Sequence, residues 1–167
     1  MNIAQIRQFD IANGPGIRAS LFVSGCTHGC AGCFNQEYRK FDYGTAWSPE
    51  LEDQFLTQLK APQVKGVTIL GGEPFDQVHD QDLQALLYRI KSETPHSIWI
   101  YSGYTFEEIL ANPARAAILS PCDVLVDGQF DITRKNLNLR FRGSENQRVI
   151  DVKPSLESGA PQLLEDY

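Results

Sequence analysis

The chain has 167 residues, of which 42% are hydrophobic, and its formal net charge at pH 7 is −6. This length suits one domain that buries roughly 70% of its unfolded surface, and it is too short for two ordinary domains. Because the chain is acidic and has no basic stripe with interleaved aromatic residues, we expect no direct binding to nucleic acid.

The amino-terminal residues lack an apolar segment behind a basic start, which is the pattern of an export signal. The chain also has no run of about eighteen apolar residues, the length needed to span a bilayer. We therefore expect a cytoplasmic, soluble protein without membrane contact.

The stretch "NGPGIR" (13–18) opens the patterned part of the chain. Asn-Gly and Pro-Gly pairs are typical of tight turns, so we predict a turn here. Arg18 follows this turn. Of two contacts, a carboxylate of a ligand or partner and a surface salt bridge, we expect the salt bridge.

Four short apolar runs predict strands. They are "SLFV" (20–23), "VTIL" (67–70), "SIWI" (97–100) and "DVLV" (123–126). Apolar and polar residues do not alternate in these runs, which is typical of strands covered on both faces, as in parallel sheets.

Helix signals lie between the strands. Ser48 followed by Pro49 predicts a helix start, Asp80 is expected to cap a second helix, and Thr105 with Glu108 predicts a capping box. Strands that alternate with helices predict an α/β fold with a mostly parallel sheet, either open or curled toward a partial barrel. Active residues of such folds lie at the carboxyl ends of the strands.

Three cysteines follow the first strand: Cys26, Cys30 and Cys33, with the spacing C-x3-C-x2-C. Without an export signal, metal binding is favoured over disulfides. Thiolates select zinc or iron–sulfur clusters, and a protein that supplies the whole coordination shell would use four. Three cysteines therefore indicate a [4Fe–4S] cluster with one iron open to a small molecule. Zinc held by these cysteines and one histidine stays an alternative, and Cys122 is predicted to be a buried apolar residue.

Two further motifs end predicted strands. In "GGEP" (71–74), Gly71 and Gly72 allow a ligand to approach the backbone, although a turn with a solvated Glu73 is also compatible with the sequence. Asp127 stays open to two interpretations, a ligand-binding carboxylate and the start of an Asp-Gly turn.

The last residues differ from the rest of the chain. The segment "KPSLESGAPQLLEDY" (153–167) is acidic, contains Pro, Gly and Ser, and shows little periodicity. We predict one domain over residues 1–152 and a mobile or partner-ordered tail over residues 153–167.

These motifs together resemble a known family. "NGPGIR", "LFVSGC" (21–26), "GGEP", "VLVDG" (124–128) and "RGSENQRVIDV" (142–152), with the three cysteines, are similar to the activating components of anaerobic, class III ribonucleotide reductases, which are radical S-adenosylmethionine (SAM) enzymes. The resemblance implies a partial, shortened radical-SAM (β/α) barrel. A complete barrel needs roughly 250 residues, so the partner is expected to close one side.

The resemblance also implies an activity. Such an oxidoreductase binds a [4Fe–4S] cluster and SAM, cleaves SAM reductively, and takes a hydrogen atom from a glycine Cα of the reductase catalytic subunit, which leaves a glycyl radical. An electron donor such as reduced flavodoxin is implied as a second partner.

The resemblance assigns roles to individual residues. No residue is catalytic beyond the cluster and SAM, and Cys26, Cys30 and Cys33 bind the metal. The implied cofactor-binding residues are Gly32, Cys33 and Phe34 near the adenine, Gly71, Gly72 and Glu73 near the methionine amino group, and Asp127 near SAM.

Two alternatives to this function are considered. Activases of other glycyl-radical enzymes, such as pyruvate formate-lyase, share the early motifs but are usually longer. A non-catalytic zinc-binding module would use the same cysteines with one histidine.

Overall fold

The computed structural model describes residues 1–167 and contains one sheet of eight strands and five α-helices. The strands are β1 (Asn2–Asp10), β2 (Arg18–Val23), β3 (Thr45–Ala46), β4 (Gly66–Gly71), β5 (Ser97–Tyr101), β6 (Val124–Asp127), β7 (Arg148–Asp151) and β8 (Gln162–Leu163). The helices are α1 (Pro49–Gln58), α2 (Asp82–Glu93), α3 (Phe106–Leu110), α4 (Pro113–Leu119) and α5 (Val152–Ser158). Short 3₁₀ turns cover Gln36–Arg39, Pro74–Asp76 and Ile132–Arg134.

The sheet is mixed and open. Its strand order is β3-β1-β2-β4-β5-β6-β7-β8. The central strands β2, β4, β5 and β6 run parallel, and the pairings on both sides of them are antiparallel. The prediction of an α/β fold is confirmed, and the four apolar runs form the four parallel strands.

The helix starts agree with the local sequence in two of three cases. Ser48 Oγ accepts a hydrogen bond from the N–H of Leu51 at 3.2 Å, and Thr105 with Glu108 forms the expected capping box. The prediction that Asp80 caps α2 is wrong, because the helix begins two residues later. The carboxylate of Asp80 instead accepts hydrogen bonds from the N–H of Asp82 and from the amino terminus.

The helices cover one face of the sheet. Their apolar side chains and the strand residues beneath them form a core of 25 buried residues. A smaller cluster of Trp99, Val124, Val126 and Val149 lies apart from this core. Phe22, Leu70 and Tyr101 line a cavity over the sheet. No helix of the structure is both long and apolar enough to cross a membrane.

Residues 153–167 contain most of α5 and the whole of β8. Strand β8 pairs antiparallel with β7, and the ring of Tyr167 packs edge-on against Trp99 at 5.3 Å between centroids. Helix α5 has seven residues, too few for a periodic pattern to show in the sequence. Mobility of this segment stays a prediction.

Arg18 is a buried structural residue with 1% of its surface exposed, so the expected surface salt bridge is wrong. Its guanidinium donates hydrogen bonds to Thr68 Oγ1 at 2.8 Å, to the Val67 carbonyl at 2.7 Å and to the Ser97 carbonyl at 2.9 Å. It therefore joins β2, β4 and β5. Burial lowers the pKa of Arg18 to about 10.

Glycine provides the space for this buried cation. A Cβ atom at Gly14 would lie 2.6 Å from Arg18 Cδ, and one at Gly66 would overlap the guanidinium. Gly14 of the "NGPG" turn and Gly66 at the start of β4 thus leave room for the Arg18 side chain. The sequence alone does not reveal this contact.

Replacing Arg18 with Met tests this role. We expect Arg18→Met to lower the free energy of unfolding by about 3 kcal/mol, because buried acceptors on β4 and β5 lose their donors. Urea unfolding of the reduced apoprotein measures the change. The exposed Lys60 serves as the control, and Lys60→Met should stay within about 0.5 kcal/mol of the wild type. Equal stabilities for the two variants would contradict the role of Arg18.

Candidate functional site

A cavity of about 750 Å³ lies over the helix-free face of the sheet and reaches the carboxyl ends of β2, β4 and β5. Its lining includes Cys26, Cys30, Cys33, Phe34, Gly71, Gly72 and Glu73. Seven of the nine predicted site residues are thus together at one cavity. Gly32 and Asp127 are outside its lining.

The loop that carries the cysteines begins where β2 ends and is fixed at its base. The N–H of Gly25 donates to the Tyr38 carbonyl at 2.7 Å, and the N–H of Cys26 donates to the Arg39 carbonyl at 3.1 Å. From the other side, the N–H of Glu73 donates to the Gly25 carbonyl at 2.8 Å. The loop therefore leaves the sheet between the 3₁₀ turn at 36–39 and the "GGEP" segment.

The three cysteines of the loop are free and partly exposed. Burial raises the pKa of the Cys26 thiol to about 12 and also raises the pKa of Cys30. The charges of Glu73 and other neighbours act in the same direction. Metal ligation requires the thiolate form, so iron binding here must displace protons.

The donor set fits a cluster. Three thiolates can each bind a different iron of a cluster, whereas a structural zinc site takes four ligands on one ion. Cys122 is buried in the core under the helices, where its Sγ donates to the Ile118 carbonyl at 3.5 Å. The chain thus brings three thiols, and no fourth, to the cavity.

Glu73 connects the cysteine loop to two other segments and is 1% exposed. Its Oε1 accepts hydrogen bonds from the N–H of Phe75 at 3.0 Å and from Ser102 Oγ at 2.9 Å. Its Oε2 accepts from the N–H of Gly103 at 2.7 Å and lies 2.9 Å from His28 Nε2. The hydrogen bond to Glu73 raises the pKa of His28.

The glycines of "GGEP" allow two backbones to approach closely. Gly71 has φ +113°, and a Cβ atom there would lie 2.6 Å from the Val23 carbonyl oxygen. A Cβ atom at Gly72 would lie 2.5 Å from the Gly25 carbonyl oxygen. Because protein donors occupy the Glu73 carboxylate, the polar groups that this motif offers a ligand are backbone groups.

A second carboxylate, Asp76, also fixes the cysteine loop. Its Oδ2 accepts hydrogen bonds from the N–H of Thr27 at 2.8 Å and from Thr27 Oγ1 at 2.9 Å, and its Oδ1 accepts from Tyr104 Oη at 2.7 Å. The guanidinium of Arg115 stacks on the Tyr104 ring at 3.7 Å. Sequence reasoning does not identify Asp76, because no motif marks a contact between positions 27, 76 and 104.

Phe34 and Gly32 lie on the far side of the loop. Phe34 is 70% exposed, and its ring packs against Phe130 at 5.3 Å between centroids. Gly32 has φ +72°, and a Cβ atom there would lie 2.5 Å from Ile132 Cδ1. Phe34 therefore presents an aromatic surface to the cavity, while Gly32 permits the turn that places it there.

Asp127 is fully buried and is not among the residues that line the cavity. The carboxylate accepts hydrogen bonds from the N–H of Phe106 at 2.7 Å and from Arg148 at 2.9 and 2.5 Å. These hydrogen bonds join the end of β6 to the start of β7 and to the start of α3. The next residue, Gly128, lines the cavity with its backbone.

Comparisons with known proteins show the family of the chain. The family described as a 4Fe-4S single cluster domain matches residues 12–150. A Pasteurella multocida (strain Pm70) protein named anaerobic ribonucleoside-triphosphate reductase-activating protein is 40% identical over 155 residues, which cover 89% of this chain and 96% of the relative.

Proteins of the same name occur among the relatives from other sources. The Escherichia coli (strain K12) protein is 38% identical over 152 residues, covering 89% of this chain and 97% of its own length. The Enterobacteria phage T4 protein is 33% identical over 152 residues, covering 89% and 93%. Identity at this level over nearly the whole of each relative shows that the chain belongs to the family of anaerobic ribonucleoside-triphosphate reductase-activating proteins.

Proposed function

We propose that this protein is a radical SAM oxidoreductase that generates a glycyl radical on the catalytic subunit of an anaerobic ribonucleoside-triphosphate reductase. The observation that carries the proposal is that three free thiols line one cavity together with the backbone of Gly71 and Gly72. The fourth cysteine, Cys122, is buried in the core. When bound, the cluster and SAM supply one-electron reductive cleavage of SAM and removal of a hydrogen atom from the target glycine, with methionine and 5′-deoxyadenosine as products.

The cysteine loop provides the metal ligands in this proposal. Cys26, Cys30 and Cys33 would hold the cluster as thiolates, each after losing its proton, and the protein would offer no fourth thiolate to it. Asp76 and Glu73 hold the loop through Thr27 and His28, so residues other than the cysteines orient its backbone.

The strand ends orient SAM. The backbone at Gly71 and Gly72 lines the cavity and would contact the methionine end. Neither position accommodates a side chain, because a Cβ atom would collide with the backbone of Val23 or Gly25. Glu73 contributes by fixing this backbone and the loop after β5. Asp127 acts in the same indirect way, by holding Gly128 at the cavity wall.

The end of the cysteine loop would hold the adenine. Gly32 and Cys33 set the path of the backbone, and Phe34 offers an exposed ring for stacking.

We further propose that the open sheet is a shortened radical-SAM (β/α) barrel. Four parallel strands with helices on one face and a cavity at their carboxyl ends support this assignment. Residues 1–152 contain every group assigned to the site. The segment 153–167 is proposed to change its order when the partner binds.

The names of the relatives favour the reductase over pyruvate formate-lyase as the partner. A donor such as reduced flavodoxin is proposed to deliver the electron, and the partial exposure of all three cysteines leaves the cluster site accessible to it.

Cysteine variants test the metal ligands. We expect Cys26→Ser, Cys30→Ser and Cys33→Ser each to lose the [4Fe–4S] cluster, because a hydroxyl replaces a thiolate poorly on iron. Cys122→Ser is the matched control and should keep the cluster, since a hydroxyl can still donate to the Ile118 carbonyl. Iron content and the visible spectrum after anaerobic reconstitution measure the result. Loss of the cluster in Cys122→Ser, or retention in the other three, would overturn the assignment.

A glycine variant tests the SAM contact. Gly72→Ala should weaken SAM binding at least about tenfold, because the new Cβ displaces the backbone at the proposed contact. Electron paramagnetic resonance of the reduced cluster during SAM titration measures the affinity. Gly29→Ala is the control, since a Cβ atom at Gly29 meets no protein atom within 4 Å. Wild-type affinity in Gly72→Ala would remove this motif from the proposed SAM site.

The activity is tested by coupling to the reductase. Without the reductase, chemically reduced protein should form 5′-deoxyadenosine slowly, because an open cavity does not exclude water. Addition of the reductase should accelerate its formation and produce a glycyl radical signal in comparable amount. A reductase with alanine at the target glycine is the control and should give no radical. Equally fast SAM cleavage without the partner, and no radical with it, would refute the function.

A further inference from the structure

Residues 134–142, "RKNLNLRFR", form a basic segment in an otherwise acidic chain. They contain four of the 15 Lys and Arg residues and no Asp or Glu. The Lys and Arg side chains that form ion pairs are Arg89, Lys91, Arg115 and Arg148. All of these lie outside the segment, so none of its four cations pairs with an Asp or Glu side chain. Arg142 instead donates to the backbone oxygens of Gln147 at 2.7 Å and Tyr167 at 3.5 Å. We call residues 134–142 the basic rim.

The basic rim borders the cavity that contains the three cysteines. Lys135, Leu137 and Arg142 are among its residues that line this cavity. Cys26, Cys30 and Cys33 line the same space, so a group bound there also lies beside the rim.

Backbone contacts hold the rim in a closed loop. Lys135 forms an antiparallel bridge with Ser144, and the N–H of Asn136 donates to the Gly143 carbonyl at 3.2 Å. Phe141 has φ +60°, which is unusual for a residue with a side chain. Its carbonyl accepts a hydrogen bond from Tyr101 Oη at 2.7 Å. Strained backbone persists where surrounding contacts enforce it, and here it sets the path of the rim at the cavity.

The rim and its neighbours also expose apolar surface. Leu137 is 86% exposed and Phe34 is 70% exposed, and both line the cavity. The Lys135 ammonium lies 5.3 Å from the centre of the Phe34 ring. Exposed aromatic and aliphatic side chains beside Arg are a composition found at protein–protein interfaces.

We propose that the basic rim is the docking surface for the reductase segment that carries the target glycine, and that this segment has carboxylate side chains beside apolar ones. The inference rests on the proposed function, because that reaction requires a glycine backbone to enter the cavity. The net charge of −6 repels an acidic partner over most of the surface, whereas the rim attracts it. The charge pattern therefore directs the segment to the cavity mouth and sets its orientation.

Charge reversal at the rim tests this docking. Arg134 and Arg140 are exposed and lie outside the cavity lining, so Arg134→Glu/Arg140→Glu leaves the proposed cofactor contacts intact. We expect the affinity for the reductase to fall at least about tenfold at low salt, with a smaller loss at high salt where charges are screened. Anaerobic titration calorimetry with the full-length reductase measures the affinity.

The matched control is Lys60→Glu/Lys65→Glu, which makes the same charge change at two exposed positions outside the rim and outside the segment 153–167. Its affinity for the reductase should stay within about twofold of the wild type. Leu137→Ser tests the apolar contact separately and should weaken binding by a factor that salt does not change, because it removes no charge.

Measurements without the reductase separate docking from chemistry. Iron content, SAM affinity and the slow cleavage of SAM without the partner should be the same in Arg134→Glu/Arg140→Glu and in the wild type. Unchanged reductase affinity in both Arg134→Glu/Arg140→Glu and Leu137→Ser would overturn the proposal. Normal reductase binding combined with slower reduction by flavodoxin would also overturn it and would assign the rim to the electron donor. Failure of the wild-type protein to form the glycyl radical would instead refute the proposed function on which the inference rests.

Discussion

The geometry of the site depends on the hydrogen bonds that the buried carboxylate of Glu73 accepts. It accepts hydrogen bonds from the cysteine loop, from the turn after β4 and from the loop after β5. Without it, several buried donors would lose their acceptor, which is costly in a water-poor interior. Residues other than the cysteines therefore hold the loop in place. Asp76 reinforces this arrangement through Thr27.

The fold supplies the setting for this contact. The parallel strands β2, β4 and β5 end side by side, so residues distant in the sequence meet at one edge. The helices cover one face of the sheet and the cavity occupies the other. Arg18 joins the same three strands from within the sheet through Thr68, Val67 and Ser97. One stable sheet thus supports both the cysteine loop and the backbone proposed to contact SAM.

Features encoded locally could be predicted from the sequence. The apolar runs, the caps at Ser48 and Thr105, and the cysteine spacing depend on neighbouring residues, and the structure contains the corresponding strands, helix starts and cysteine loop. Features that depend on distant contacts were not predictable. The burial of Arg18 requires glycines at positions 14 and 66, and Asp127 finds its partner 21 residues away at Arg148. The basic rim does not stand out in a sequence of net charge −6. Its position at the cavity is what indicates a docking role.

Three protein thiolates and one open iron are central to this activase, and Mössbauer spectroscopy of protein loaded with ⁵⁷Fe tests them most directly. Spectra of the anaerobic protein are recorded with and without SAM. We expect one iron of the cluster to change its isomer shift and quadrupole splitting when SAM is added, while the three cysteine-bound irons do not. Four irons that remain unchanged in the presence of SAM would contradict the open coordination site.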